Sequence, residues 1–439
     1  MRGGYLLNPL PVLFRKGEGK MDEKEMLAFY SSQLQDDFFP YWRSHYDNRF
    51  GGVLNCLSNQ GDRLLSSRKF TWSEGRYLWI LCKLYGLAEK GILSKLDSQE
   101  LLTQIHGTKD FLVQYCIGPE EKCHFLLSRR GRPVLDERVG RSDTSIFADC
   151  FAVIGLAAYG TAFKDKTAAG EAKALFDSVR RRVEQGDYLT EPYPVPGGYR
   201  VHSVPMILIH TAYEVAEMEQ ACGMEAADTI RYGLERAEEV LGQFCREGWI
   251  REHISVEENN RERLLDRHIN PGHTLEDVWF IYEYLERYGK LEDRLETLQL
   301  LARKAMERGW DPVWGGLLRF TDREGSEPQG WSGDTPYERL ILDTWDMKLW
   351  WPQAEMLYTS LLLFRKTGRK EFGQWYQRVF DYAFSVFPSR EEGEWIQIRK
   401  RDGSPQEKVV ALPVKDPFHI MRSFIKIIEL LVLGKGGAV

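Results

Sequence analysis

Val313-Trp314-Gly315-Gly316-Leu317, running on to Asp322-Arg323-Glu324-Gly325, joins two short apolar stretches through glycine turns. Asn48-Arg49-Phe50-Gly51-Gly52-Val53, running to Gln60-Gly61-Asp62, has the same make-up, and Gly393-Glu394-Trp395-Ile396-Gln397-Ile398 before Asp402-Gly403 is a third version. Gly and Asp-Gly between strand-forming residues predict short β-hairpins. Each lies in a long link between amphipathic segments, and that recurrence decides the fold.

Apolar residues at i, i+3, i+4 and i+7 predict helices over 23–44, 70–89, 97–115, 143–164, 167–185, 203–221, 225–245, 272–289, 291–308, 348–367, 370–385 and 417–434. The links near 90–96, 165–166, 222–224, 290 and 368–369 are short, while 45–69, 116–142, 186–202, 246–271, 309–347 and 386–416 are long. Six helical hairpins follow. They close most economically into one toroid with an inner and an outer ring and the long links at one end, an all-α architecture with short β-hairpins in its loops. The helices after the long links are the more apolar set, as in Ile146 to Tyr159, Val204 to Tyr213, Met356 to Phe364 and Ile420 to Leu433. They are therefore assigned to the inner ring, with their N-termini converging on one pocket. A single catalytic domain is expected over 21–439, after a poorly ordered N-terminal extension at 1–20, with Met1 and Met21 both open as starts.

The chain of 439 residues, 43% hydrophobic, can bury a large core. A net charge of -6 without a long Lys/Arg run gives no surface for a phosphate backbone, so nucleic acid is not an expected partner. Seven scattered cysteines form no C-x-x-C pair and read as free thiols of a reducing compartment. Tyr5 to Phe14 is broken by Asn8, Pro9 and Pro11 and lacks a cleavage site, and no later run suits a bilayer. A cytoplasmic location without membrane association is the expectation. No phosphate-binding glycine loop, dinucleotide motif or metal-ligand spacing occurs, so no metal is expected.

The unusual side chains gather at the inner N-termini. His273 follows Asn270-Pro271-Gly272, and His419 lies in Lys415-Asp416-Pro417-Phe418-His419-Ile420-Met421-Arg422. An imidazole gives and takes a proton near neutrality, so two of them can act on both faces of one carbon. Each could instead be a structural helix-start residue, with Asn270 or Thr274 the cap and Glu276 complementing the dipole. Lys69, Trp72, Arg76 and Trp79 share one face, either as an aromatic stripe with a snorkelling arginine or as a cation awaiting an anion. Lys348, Trp350, Trp351, Gln353 and Glu355 read as pocket groups or as an ion pair beside an aromatic core. The other histidines are assigned to structure, with His202 and His253 the least settled because their links lie on the presumed active face. Asp143 or Asp149 with Glu276 could make the acid and base of a glycoside hydrolase.

Trp72-Ser73-Glu74-Gly75-Arg76-Tyr77-Leu78-Trp79, Asn270-Pro271-Gly272-His273-Thr274-Leu275-Glu276, Met347-Lys348-Leu349-Trp350-Trp351-Pro352-Gln353-Ala354-Glu355 and Pro417-Phe418-His419-Ile420-Met421-Arg422 occur in an order and spacing that resemble the N-acylglucosamine 2-epimerase superfamily, from about Tyr30 to Leu433. The resemblance implies an (α/α)6 barrel and a carbohydrate isomerase acting on a free aldose, foremost by interconverting N-acylglucosamine and N-acylmannosamine. Cellobiose 2-epimerisation and aldose–ketose isomerisation of mannose or sulfoquinovose are alternatives in the same pocket. A glycoside hydrolase and a non-catalytic binding protein, such as the family member known as a renin-binding protein, rank below them.

It also implies His273 and His419 as the catalytic pair, Arg76 as the polarising cation and Glu276 as their support. Trp72, Trp279, Lys348, Trp351, Glu355, Phe418 and Arg422 are the candidates to contact the sugar. One histidine would remove the C2 proton to leave an enediolate stabilised by Arg76, and return of a proton to C2 or C1 would give the epimer or the ketose. No metal or redox cofactor is required. Nucleotide activation occurs in part of the family, without a matching motif here, and a homodimer is a family-level expectation. His202-Ser203-Val204-Pro205-Met206-Ile207 resembles the N-acylglucosamine branch, whereas Gln353 stands where that branch often has histidine, leaving the substrate open.

Overall fold

The structure, a computed structural model, describes residues 22–256, 262–389, 391–410 and 412–433. The predicted extension at 1–20 lies outside the described residues. In chain order the helices are α1 (Glu23–Ser32), α2 (Phe39–Ser44), α3 (Thr71–Glu89), α4 (Ser98–Phe111), α5 (Ile146–Phe163), α6 (Lys166–Gln185), α7 (Ser203–Ala221), α8 (Ala227–Glu239), α9 (Leu264–Arg267), α10 (Pro271–Tyr288), α11 (Leu295–Gly309), α12 (Pro336–Thr344), α13 (Trp350–Thr367), α14 (Lys370–Val386) and α15 (Phe418–Leu433). A π-helical turn at Gln33–Phe38 joins α1 to α2, and others at Leu112–Cys116 and Val240–Phe244 finish α4 and α8.

Helices α3, α5, α7, α10, α13 and α15 pack each on the next, and α15 returns to α3, closing the inner ring. Helices α4, α6, α8, α11 and α14 each cover the inner helix before them, and α1 covers α15. This is the six-hairpin (α/α)6 barrel, with the inner helices assigned as expected. Helix α5 has the length and apolarity to cross a bilayer, but 78% of it is buried between its neighbours. Its close approach to α3 depends on glycine: a Cβ at Gly75 would sit 2.1 Å from Phe151 O, and one at Gly155 would sit 2.5 Å from Gly75 O.

The long links differ from expectation in how they pair. Single bridges close the glycine turns, at Tyr46 with Val53, Trp310 with Leu317 and Pro388 with Trp395. Four of the six strand pairs among the described residues instead join neighbouring links. Lys69–Phe70 pairs with Leu126–Leu127, Tyr199–Val201 with His253–Ser255, His268–Ile269 with Thr321–Asp322, and Lys348–Leu349 with Ile398–Arg399, all antiparallel. Each staple ties the residues before one inner helix to the following link, while two local hairpins, Ile117–Gly118 with Lys122–Cys123 and Cys245–Arg246 with Trp249–Ile250, stand within single links. A cuff of short ladders thus surrounds the mouth of the barrel. Helices α9 and α12 also lie within links, where no helix was expected.

One module occurs twice in this cuff. Asp47 accepts from Gly51 N and donates its own N–H to Gly52 O at 2.8 Å, and Asp311 makes the same pair of bonds with Gly315 and Gly316. Lys69 pairs with Asp47 at 3.1 Å and donates to Gly51 O; Lys348 pairs with Asp311 at 3.0 Å and donates to Gly315 O at 2.6 Å. Arg129 and Arg401 complete the two clusters at 2.9 Å from Asp47 and Asp311. Five residues after each lysine, Glu74 accepts from Val53 N at 3.0 Å, and Gln353 accepts from Leu317 N at 2.9 Å while donating to Leu317 O at 3.0 Å. Gln353 is therefore a clamp on a glycine turn and not a contact to the ligand.

Candidate active site

The first turns of all six inner helices meet in a cavity of about 250 Å³ at the cuffed end. Trp72 and Arg76 come from α3, Phe147 and Phe151 from α5, Met206 and Ile207 from α7, His273 and Glu276 from α10, Trp350 and Trp351 from α13, and His419 from α15. The links add Tyr193, Glu252, His253, Arg319, Tyr337 and Asp416. Barrel closure thus brings together residues almost 350 positions apart.

His273 sits where Asn270 caps α10, accepting from His273 N at 3.2 Å, so its two sequence readings hold at once. Its Nδ1 lies 2.9 Å from Glu252 Oε2, and its ring rests on Trp351 with centroids 5.0 Å apart. Burial opposes charge on this imidazole, but the Glu252 carboxylate outweighs it and holds the pKa above its ordinary value. His419 is the second residue of α15, and Asp416 Oδ1 accepts from Phe418 N at 3.0 Å at the helix start. Its Nδ1 lies 2.8 Å from Glu355 Oε1, and its ring meets the other side of the same contact set, 5.5 Å from Trp351. Burial, reinforced by Arg422 and Arg76 against the pull of Glu276, lowers His419 to about 3. The two histidines of one cavity are thus pushed in opposite directions, His273 toward the charged form and His419 toward the neutral one.

Arg76 donates to Asp416 Oδ2 at 2.9 Å and lies 3.9 Å over the Phe151 ring. Its Nε has no acceptor among the described residues. Arg422 bonds Glu276 and reaches Glu355 Oε1 at 2.7 Å, setting a buried cation between the two carboxylates that flank His419. Glu355 also accepts from Trp279 Nε1 at 2.7 Å, and the Arg422 guanidinium lies 4.6 Å over Phe418.

Of the predicted residues, Trp72, Arg76, His273, Glu276, Trp351 and His419 line the cavity. Trp279, Glu355 and Arg422 lie beneath that lining, with their polar groups bonded to one another and to Glu276 and His419, and the Phe418 ring packs under the Arg422 guanidinium. Lys348 is a correction: its fully buried ammonium is turned to Asp311 and the glycine turn, since it precedes α13 in a cuff strand and shares no helical face with Glu355. Glu276 lines the cavity on the side of the second histidine. It lies 3.8 Å from His419 Nδ1, while the carboxylate holding His273 is Glu252.

Glu252 escaped sequence reasoning because it sits in an irregular link, and only the pairing of Tyr199–Val201 with His253–Ser255 carries it beneath α10. His202, left unsettled in the sequence as a histidine of the active face, and Asp277 belong with it. His202 Nε2 lies 3.2 Å from Asp277 and Nδ1 lies 3.5 Å from Glu252. Burial disfavours its charge, but the two carboxylates lift His202 to about 10. Asp416 carried a readable signal, an Asp just before a helix start.

His202, Glu252 and His273 have ligand atoms close enough for a metal ion, as do Glu276, Glu355 and His419. Each set already contains a protein cation, the His202 imidazolium in the first and the Arg422 guanidinium in the second. The pair required for hydrolysis does not assemble. Asp149 is committed to Arg182 at 2.8 Å and Cys123 N at 2.9 Å, Asp143 accepts from Arg141 at 3.0 Å, and neither lines the cavity.

A toroid of six hairpins with two carboxylate-held histidines and an arginine at its mouth is a site equipped for proton transfer. The family model for N-acylglucosamine 2-epimerase (GlcNAc 2-epimerase) matches residues 52–423. The N-acylglucosamine 2-epimerase of Bos taurus is 29% identical over 419 residues, covering 93% of each chain. Cellobiose 2-epimerase from Bacillus thermoamylovorans B4167 superimposes with a TM-score of 0.73 at 17% identity, over 93% of this chain and 100% of that one. A D-mannose isomerase structure also gives 0.73, at 13% identity over 95% of this chain and 100% of that one. The chain belongs to the N-acylglucosamine 2-epimerase family, and it is a sugar 2-epimerase.

Proposed function

We propose that this enzyme interconverts the C2 epimers of a free N-acylhexosamine, N-acylglucosamine and N-acylmannosamine, with His419 and His273 on opposite faces of the reacting carbon. The observation that carries this reading is geometric: both histidines line one cavity, each held through Nδ1 by its own carboxylate, His273 by Glu252 at 2.9 Å and His419 by Glu355 at 2.8 Å. Environments that push two pKa values apart suit one to act as base and the other as acid. Likeness to the bovine enzyme along nearly the whole chain supports the N-acyl substrate.

Donation of Nδ1–H to Glu355 leaves the neutral His419 with a lone pair on Nε2. That nitrogen takes the C2 proton of the open-chain aldose, and the electron pair moves into a C1–C2 enediolate. Arg76 stabilises the oxyanion through donors already oriented by Asp416. His273, whose proton the Glu252 carboxylate helps to hold, returns a proton to the other face of C2. The histidines then exchange roles for the reverse reaction. Enolisation balances with protons alone, so it needs neither a redox cofactor nor a metal, and no nucleotide enters a step.

The test is turnover of N-acetylglucosamine and N-acetylmannosamine in D2O, followed by NMR and product separation. The expected product carries deuterium at C2 while unreacted substrate keeps its proton at early times. His273→Ala and His419→Ala should each lower kcat by roughly 10²–10⁴ with the fold retained. Ketose formation would assign the aldose–ketose outcome, and absence of C2 exchange with these sugars, mannose and cellobiose would refute the reading.

A further inference from the structure

The cavity has a second pole. Arg319 lines it with only 5% of its surface exposed. Its Nη1 donates to Thr344 Oγ1 at 2.9 Å, and its Nη2 donates to Tyr193 Oη at 3.3 Å and Val410 O at 3.2 Å. All three acceptors are neutral, and among the described residues no carboxylate forms an ion pair with this guanidinium. Arg76, on the same cavity, has Asp416; the buried Arg182, Arg267 and Arg422 also have carboxylates. Arg399 is likewise bonded only to carbonyls, but it does not line the cavity.

The surroundings make the lack of a counter-charge costly. Arg319 lies 5.0 Å over Phe320, and Tyr193, Tyr337, Val410 and Leu412 form the adjoining wall. Thr344 ends α12, whose C-terminal carbonyls bear only a partial negative charge. A buried cation so placed gains most from an anion that enters with the ligand, and a planar guanidinium fork matches a tetrahedral oxyanion. Arg319 bonds to neither histidine and to none of Glu252, Glu276 and Asp416, so an anion there would displace none of the hydrogen bonds of the proton-transfer groups.

We propose that Arg319 receives a phosphomonoester carried by the sugar at the end remote from C2. This rests on the C2-epimerase reading above and narrows its substrate to a phosphorylated N-acylhexosamine.

The experiment compares C2 exchange in D2O of N-acetylglucosamine and its 6-phosphate by the full chain, by Arg319→Lys and by Arg319→Met. Charge-assisted hydrogen bonds to the phosphate predict a kcat/KM about ten- to a hundredfold higher for the 6-phosphate in the unaltered enzyme. The ratio should fall to about one in Arg319→Met and stay between these values in Arg319→Lys, which keeps the charge but not the fork. Inorganic phosphate should compete with the 6-phosphate in the unaltered enzyme and not in Arg319→Met. Melting curves report whether the variants fold, and the substrate ratio within one preparation is independent of the folded fraction. A 6-phosphate no better than the neutral sugar overturns the site, as does an equal loss on both substrates in Arg319→Met, the mark of a mere clamp between Thr344 and Val410. Absence of C2 exchange with either sugar would remove the epimerase reading itself, whereas exchange of the neutral sugar alone removes only the anion site.

Discussion

Glu74→Gln should stabilise the protein in alkali and do nothing in acid. Burial raises Glu74 from its ordinary 4.5 to about 7, although Lys69 and the Val53 N–H pull it down. Each factor of ten in proton affinity corresponds to 1.36 kcal/mol, so the raised value represents roughly 3 kcal/mol. Since the folded chain holds this proton more tightly than the unfolded chain, its stabilising effect is complete below about 4.5 and lost as pH rises through about 7. The twin module contains the experiment already: Gln353, neutral at every pH, occupies the equivalent position beside the same Asp, Lys and Arg set. Urea unfolding of the native protein and Glu74→Gln should give equal stabilities near pH 4.5 and a difference approaching 3 kcal/mol in favour of the variant near pH 9. Other titrating groups cancel in that difference. A pH-independent difference, or a variant less stable in alkali, would refute a neutral Glu74 in the folded state.

Glu252→Gln removes the charge that holds His273 protonated, so the alkaline limb of kcat/KM should move to lower pH and kcat should fall by roughly 10²–10⁴; an unmoved limb in the pH–rate profile would separate Glu252 from the acid. Lys348→Met leaves Asp311 buried without its lysine and should cost about 3–5 kcal/mol in urea unfolding, with KM unaffected. A raised KM without lost stability would restore Lys348 to the pocket. Asp143→Asn should leave turnover intact, because Asp143 faces Arg141 and not the sugar; loss of activity there would favour hydrolysis.

The barrel was legible because a buried helical face imposes a 3.6-residue period, and because short and long links alternate wherever hairpins stack into a ring. The convergence of His273, His419 and Arg76 followed from that topology, together with the resemblance of their motifs. Helix α12 was not read, although Thr335-Pro336-Tyr337-Glu338 spells its capping box, because nine residues show too little period to stand out in a long link. Lys348 misled for a different reason. Its proximity to α13 was correct, but a residue two positions before a helix follows the alternation of the strand and points away from the helical face. Glu252 and Arg319 act through contacts between links, and no local period records which link lies against which.

Trp351 touches both catalytic rings, at 5.0 Å from His273 and 5.5 Å from His419. An indole N–H neither ionises near neutrality nor accepts a proton, so it cannot relay hydrogen from one imidazole to the other. Protons pass between the two imidazoles through the cavity they share, by way of substrate, solvent or the Glu276 carboxylate, and not through the ring that both of them touch. Each turnover in one direction leaves the proton on the opposite imidazole, so the shared ring keeps the base and the acid apart while the sugar itself carries hydrogen from one side of the cavity to the other.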